Sequence, residues 1–357
     1  MKEEKQGIRP MARAVAAALA LVFALGFWSG PATAAATDVG RRVIPLGRAV
    51  GIKLFSDGVL VVGLSEIATA DGAQAPARAC GLREGDIITH INSEEVDSIE
   101  EVQDILQTSG EEKLSIRAMR GDKLVQMTVQ AAQCSADGAY KLGAWIRDSM
   151  AGIGTMTFYD PDTGLFGALG HGINDVDTSL LMPLQSGAIM YAEVTDVKKG
   201  AAGAPGELHG TFKAEQDLGE LYANTKSGVF GTLMNQSLTG DAAPVPIAAR
   251  SEVQVGKATI LSNIAGNAVE EYEVEITRVY PENPSDTRNL MLKITDQRLL
   301  DTTGGIVQGM SGSPILQNGR LVGAVTHVLV NDPTQGYGIL AEQMLFQAKS
   351  EAAGRLS

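Results

Sequence analysis

At 357 residues the chain is long enough for two domains, each with its own core. With 44% hydrophobic and 20% charged residues it is neither disordered nor fibrous. Forty-two acidic against 29 basic residues give a net charge of −13, and no basic stripe interleaved with aromatics occurs, so nucleic acid is excluded as a partner.

In chain order, Lys2, Lys5, Arg9 and Arg13 precede an apolar run over residues 14–28, and small residues follow to Ala36. This is the layout of an export signal, and the run is shorter than the ~20 residues of a comfortable span. Cleavage near Ala34 or Ala36 is expected. An uncleaved, tilted anchor with Phe27 and Trp28 at the interface is the alternative, and either way the remainder works beyond the membrane. Residues 37–44 read as a linker.

Residues 45–133 form a compact α+β block. Two β-rich runs flank a turn at Ser56-Asp57-Gly58, and Gly85-Asp86 turns into a strand over residues 87–91. Ile99, Val102, Ile105 and Leu106 share one helical face, and two strands meet about Gly121-Asp122. Cys80 and Cys134 match no zinc spacing, so no metal is expected; they read as two buried thiols, with a single disulfide as the alternative in an exported protein.

Residues 135–357 alternate short β-branched runs with Gly, Asp and Pro turns, which predicts a mainly β domain, a barrel pair or a sandwich. One C-terminal helix is predicted after Tyr337, with Met344, Leu345 and Ala348 on one face.

The sharpest chemical signal is the Gly-rich run over residues 304–314, where small residues surround the hydroxyl of Ser311. A nucleophile needs such a tight turn, with amides converging on a developing oxyanion; here these are the amides of Gly309 and Ser311. No lysine follows the glycines as a phosphate loop requires, and Ser313 and Pro314 break the G-x-S-x-G elbow. His171, between Gly170 and Gly172, has the open setting of a triad base. His90 and His209 read as structural, and His327, on the strand after the Ser311 hairpin, is a secondary candidate for the base. For the orienting carboxylate, Asp175 and Asp177 lie just past His171, and Asp296 ends an apolar strand.

Two resemblances add to this reading. Residues 81–88, Ile91-Asn92 and the helix after Ser98 resemble a PDZ domain. In that family an extended peptide adds a strand beside a groove helix, and a Gly-rich loop holds its terminal carboxylate; that loop falls on Gly47, Arg48, Ala49, Val50, Gly51 and Ile52. The pairing of Gly-His-Gly-Ile at 170–173 with Gly-Met-Ser-Gly-Ser-Pro at 309–314, behind a PDZ-like block and an export segment, resembles the stage IV sporulation protein B signalling peptidases, serine proteases of endospore-forming bacteria.

That resemblance implies a trypsin-like double β-barrel over residues 135–357, with Met310 where trypsin-like enzymes carry an Asp, so that activation by an N-terminal ammonium is not expected. It implies Ser311, His171 and Asp296 as the triad, without a cofactor. It further implies export across the forespore membrane into the intermembrane space, with at least transient membrane association. There the enzyme cuts itself near its N-terminal segment, and cuts the extracytoplasmic regulatory subunit of a membrane-embedded protease complex to activate a late mother-cell sigma factor. The alternative is a non-catalytic PDZ adaptor with a degenerate protease-like β domain.

Overall fold

The computed structural model describes residues 40–234, 238–240, 242–283 and 286–355. The expected export segment, residues 1–36, lies outside the described residues. Among those described, no helix is long and apolar enough to cross a membrane.

The chain enters through one long strand, β1 (Arg42–Leu64). Its C-terminal part opens a small α+β block that continues through α1 (Pro76–Cys80), β2 (Asp86–Ile91), α2 (Ile99–Ser109), β3 (Lys113–Arg120) and β4 (Lys123–Gln130). A capping box starts α2: Ser98 accepts from the Glu101 amide, and Glu101 reaches back to the Ser98 amide. Val102 and Leu106, one turn apart, are the buried face of α2 and pack on Val59, Ile88, Ile91 and Ile116. In the same block Asp86 is fully buried, and its carboxylate is neutralised by the Arg120 guanidinium.

The chain then turns into β5 (Ala144–Tyr159), which pairs antiparallel with β1 from Leu64↔Ala144 back to Ile44↔Tyr159. Four further strands, β6 (Leu165–Ala168), β7 (Ser186–Lys198), β8 (Glu207–Thr225) and β9 (Gly228–Leu233), complete the first barrel. Its pairings run β5–β6–β9–β8–β7–β1 and close where β1 meets β5. The second closed barrel runs β10 (Gly256–Ala265), β11 (Ala268–Val279), β12 (Leu290–Ile294), β15 (Asp332–Leu340), β14 (Arg320–Leu329) and β13 (Pro314–Gln317). Strand β11 shows why such a sequence is a strand: Tyr272, Val274 and Ile276 point into the core while Glu271, Glu273 and Glu275 alternate outward. Between β12 and β13 lies a short helix, α3 (Gln297–Thr303). The final helix, α4 (Ala341–Gly354), buries Met344, Leu345 and Ala348 against Phe158 and Phe230 of the first barrel and Ile339 of the second.

The expected double barrel is therefore present, but its first strand comes from the segment assigned to the PDZ-like block. Residues Gly47, Arg48, Ala49, Val50, Gly51 and Ile52 are not a carboxylate-binding loop. They lie within β1, where Val50 and Ile52 pair with Tyr191 and Ile189 of β7 and bury their side chains in the first barrel. The expected hairpin at residues 56–58 is likewise one continuous strand, with a register irregularity between Phe55 and Leu60. In β8 polar residues interrupt the apolar alternation, so this strand is not evident from sequence pattern alone.

At the junction of block and barrel, Leu54, Leu60 and Met182 make a small core that also takes in Ile87 and Ile173. Leu60 is fully buried there. Leu60→Ala should cost about 2–5 kcal/mol, the usual price of a core Leu truncation, read as a lower thermal midpoint. An unchanged midpoint would show that the junction carries no stability.

Candidate active site

Ser311 sits on the loop that leads from α3 to β13, in a turn closed by the Ser313 amide on Met310 O at 3.0 Å. Three anchors hold this loop. The Met310 side chain is buried in the second barrel, the fully buried Ser313 hydroxyl meets Ser262 at 3.2 Å, and the Gly312 amide donates to Val325 O at 2.8 Å. From the first barrel, Thr155 Oγ1 donates to Gly309 O at 2.7 Å and Thr157 Oγ1 to Gly312 O at 2.8 Å. Position 312 has φ +100°, and a Cβ there would collide with Thr155 O, so the strand approach requires glycine. Among the described residues the amides of Gly309 and Ser311 have no acceptor, which leaves both free for an oxyanion.

His171 follows a strained step. Leu169 has φ +66°, a region costly for a side chain with a Cβ, and its amide is held by Thr155 O at 3.1 Å. Gly170 next to it packs on Thr326 of β14, where a Cβ would stand 2.9 Å from Thr326 Cγ2. His171 Nδ1 lies 2.8 Å from Gly172 O. A carbonyl can only accept, so Nδ1 carries the proton and Nε2 keeps its lone pair, the tautomer a general base needs. Burial pushes the His171 pKa down. The ring of His327 lies 5.0 Å from that of His171, tilted by 40°. Lost hydration first, and then the charges of His171 and Arg288, push His327 down to about 4.

The structure thus brings Ser311 and His171, on loops of the second and first barrel, together with His327 of β14. The Ser311 hydroxyl donates to Thr326 O at 2.7 Å rather than to an imidazole, so a side-chain rotation has to release it before it can react.

Asp296 is not at this site. It is the N-cap of α3, where Oδ1 accepts from the Arg298 amide at 2.9 Å and Oδ2 accepts from Arg298 Nη2 at 2.9 Å and the Glu273 amide at 3.2 Å. Hydrogen bonds from the Arg298 side chain hold its pKa down to about 2. A helix cap and a triad carboxylate look alike in sequence, since both are an Asp ending a strand. Asp175 and Asp177 do not orient His171 either, because both pair with Arg147 of β5. The group on His171 Nδ1 is the Gly172 carbonyl.

A second concavity lies in the α+β block, away from residues 47–52. A cavity of about 720 Å³ opens between α2 and residues 139–146, lined by Ile99, Val102, Leu106, Tyr140, Ala144 and Ile146. Gln107 fixes Tyr140 at one end of α2 through two hydrogen bonds of 2.9 and 3.0 Å, and Asp148 accepts from the Ile99 amide at the other end at 3.0 Å. Leu142-Gly143 leads into the first residues of β5, with the Leu142 and Gly143 carbonyls held by Ala77 and Ser65 and their amides without acceptors among the described residues. The sequence signal for this loop is the Leu142-Gly143 step before an apolar strand, which lies past residue 133, the expected end of the block. Among the described residues no group of three or more His, Cys, Asp or Glu is placed to hold a metal ion.

The family model for SpoIVB peptidase S55 matches residues 138–345, more than half of the chain. The chain belongs to the SpoIVB peptidase S55 family. Membership supports a serine peptidase role. A PDZ-domain model matches residues 69–120. No curated protein matches the chain. Among solved structures, the PDZ domain of the SdrC-like protein Lmo2051 from Listeria monocytogenes is 25% identical over 25% of this chain and 87% of its own, with a TM-score of 0.21. The Rv3671c protease of M. tuberculosis, inactive form, is 14% identical over 56% of this chain and 83% of its own, with a TM-score of 0.30. Human heparin binding protein is 14% identical over 56% and 84%, with a TM-score of 0.27.

Two outcomes check the site. Asn caps a helix as well as Asp does, so Asp296→Asn should keep peptidase activity within a few-fold, whereas loss of a triad carboxylate costs about 10⁴ in kcat; a loss of that size would return Asp296 to the mechanism. Because burial keeps His171 neutral below the ordinary imidazole pKa of about 6.5, the activity should persist as pH falls through 6.5 and fail only below it. An acid limb at or above 6.5 would contradict this.

Proposed function

We propose that the chain is an exported serine endopeptidase with Ser311 as nucleophile and His171 as general base. The observation that carries this reading is the Ser311 turn, with two unused amides, packed against the His171 loop. Ser311 Oγ leaves Thr326 O and gives its proton to His171 Nε2 as it attacks the scissile carbonyl. The oxyanion is received by the Gly309 and Ser311 amides, and His171 returns the proton to the leaving amine. Water then repeats the sequence on the acyl-enzyme, with the same base. Gly172 O holds the imidazole in register, which is the part usually played by a carboxylate.

The family and the N-terminal layout support a role in sporulation signalling: passage into the space between the forespore membranes, self-cleavage near the N-terminal segment, and cleavage of the extracytoplasmic regulator of a membrane-embedded protease complex. The groove beside α2 would take an extended peptide as an added strand, with the free amides of Leu142 and Gly143 receiving its terminal carboxylate. The adaptor reading is favoured by one observation, the Ser311 hydroxyl resting on Thr326 O.

A fluorophosphonate probe separates the two readings, because it reacts only with an activated serine. Wild type and Ser313→Ala should label and Ser311→Ala should not, with proteolysis in Ser311→Ala reduced on the order of 10⁶. Absence of labelling in the wild type would leave the adaptor. Ile99→Lys, placing a charge at the half-buried rim of the groove, should weaken binding of peptides with an apolar C-terminus at least tenfold, measured by fluorescence anisotropy, and leave labelling unchanged.

A further inference from the structure

We infer that Arg147 is a positioning residue for the peptidase site, through which the groove strand holds the loop that carries His171; this rests on the reading of His171 and Ser311 given above. Arg147 lies on β5 where that strand borders the groove, paired with Leu60 of β1. Its guanidinium forks onto two carboxylates of the His171 loop, Nη1 to Asp175 and Nη2 to Asp177 at 2.9 Å. The Asp175 side chain is wholly buried and that of Asp177 half-exposed. The two prongs therefore differ in weight, because a buried carboxylate stripped of its cation is costly while an exposed pair contributes little.

Asp175 organises the loop from within. Its Oδ1 accepts from the amides of Asp177 and Thr178, at 3.1 and 2.8 Å, and from the Thr178 hydroxyl at 2.9 Å. Its backbone pairs with Leu180, and Ile173 pairs with Met182, so residues 173–182 are a small hairpin beginning two residues after His171. Asn224 of β8 clamps the base of the hairpin, accepting from the Ile173 amide and donating to the carbonyls of Ile173 and Met182. Among the described residues no strand of the barrel other than β5 clamps the tip in this way. Its support comes from the peptide-binding side: Arg147, and the contact of Leu180 with Gly85, where a Cβ would stand 3.0 Å from Leu180 Cδ1. A peptide added along the first residues of β5 would thus bear on the strand that sets the catalytic imidazole.

Labelling of Ser311 by the fluorophosphonate, timed on folded full-length protein, tests this. Arg147→Met should slow labelling about tenfold or more, as small displacements of a catalytic group do, while circular dichroism shows an intact fold. Arg147→Lys, which keeps a cation for Asp175, should restore the rate to within a few-fold of wild type. Asp175→Asn should be about as slow as Arg147→Met, the double variant no slower than the worse single one, and Asp177→Asn close to wild type. If Arg147→Met does not fold, Arg147→Gln is read by the same criteria. A wild-type rate without the guanidinium, or no recovery with lysine, overturns the assignment. A wild type that never labels would instead sink the serine peptidase reading.

Discussion

Two threonine hydroxyls on one strand hold the nucleophile loop of the second barrel against the first. Thr155 and Thr157 are buried, and in a medium of low dielectric a satisfied hydroxyl-to-carbonyl bond is strong while an orphaned one is costly. Both bonds cross between barrels, onto Gly309 and Gly312, and Thr155 O also holds the Leu169 amide before His171. The two halves of the site are therefore set by the same residue. The absence of a Cβ at Gly312 and the strained φ of Leu169 are local costs of bringing the two loops onto one strand.

That strand, β5, begins beside the cavity along α2 and ends under the nucleophile loop. Strand β1 runs beside it along nearly its whole length, from the first barrel into the α+β block. Block and barrel thus share two continuous strands where a flexible linker would otherwise join them.

Much of this was legible in the sequence. The helical face of Ile99, Val102, Ile105 and Leu106 in α2, the mainly β character after residue 135 and the Gly-rich Ser311 loop follow from local rules, and His171 stands out by its glycine neighbours. What failed was where local patterns have two meanings. Asp296 ends a strand, and only the approach of Arg298 and the following helical turn shows that it caps α3. Residues 47–52 carry glycines among apolar residues, which fits a loop or a strand, and tertiary pairing with β7 decides for the strand. The nearness of His327 to His171 depends on how β14 packs against the first barrel, which no spacing along the chain encodes.

Catalysis here depends on Ser311 leaving Thr326 O to work with His171 and the two free amides. The structure of the protein after reaction with a fluorophosphonate tests this most directly. The expected structure has phosphorus bonded to Ser311 Oγ, its non-bridging oxygen about 2.7–3.1 Å from the Gly309 and Ser311 amides, His171 Nε2 facing the adduct, and Asp296 still capping α3. An adduct on another residue, or one whose oxygen lies away from both amides, would contradict it.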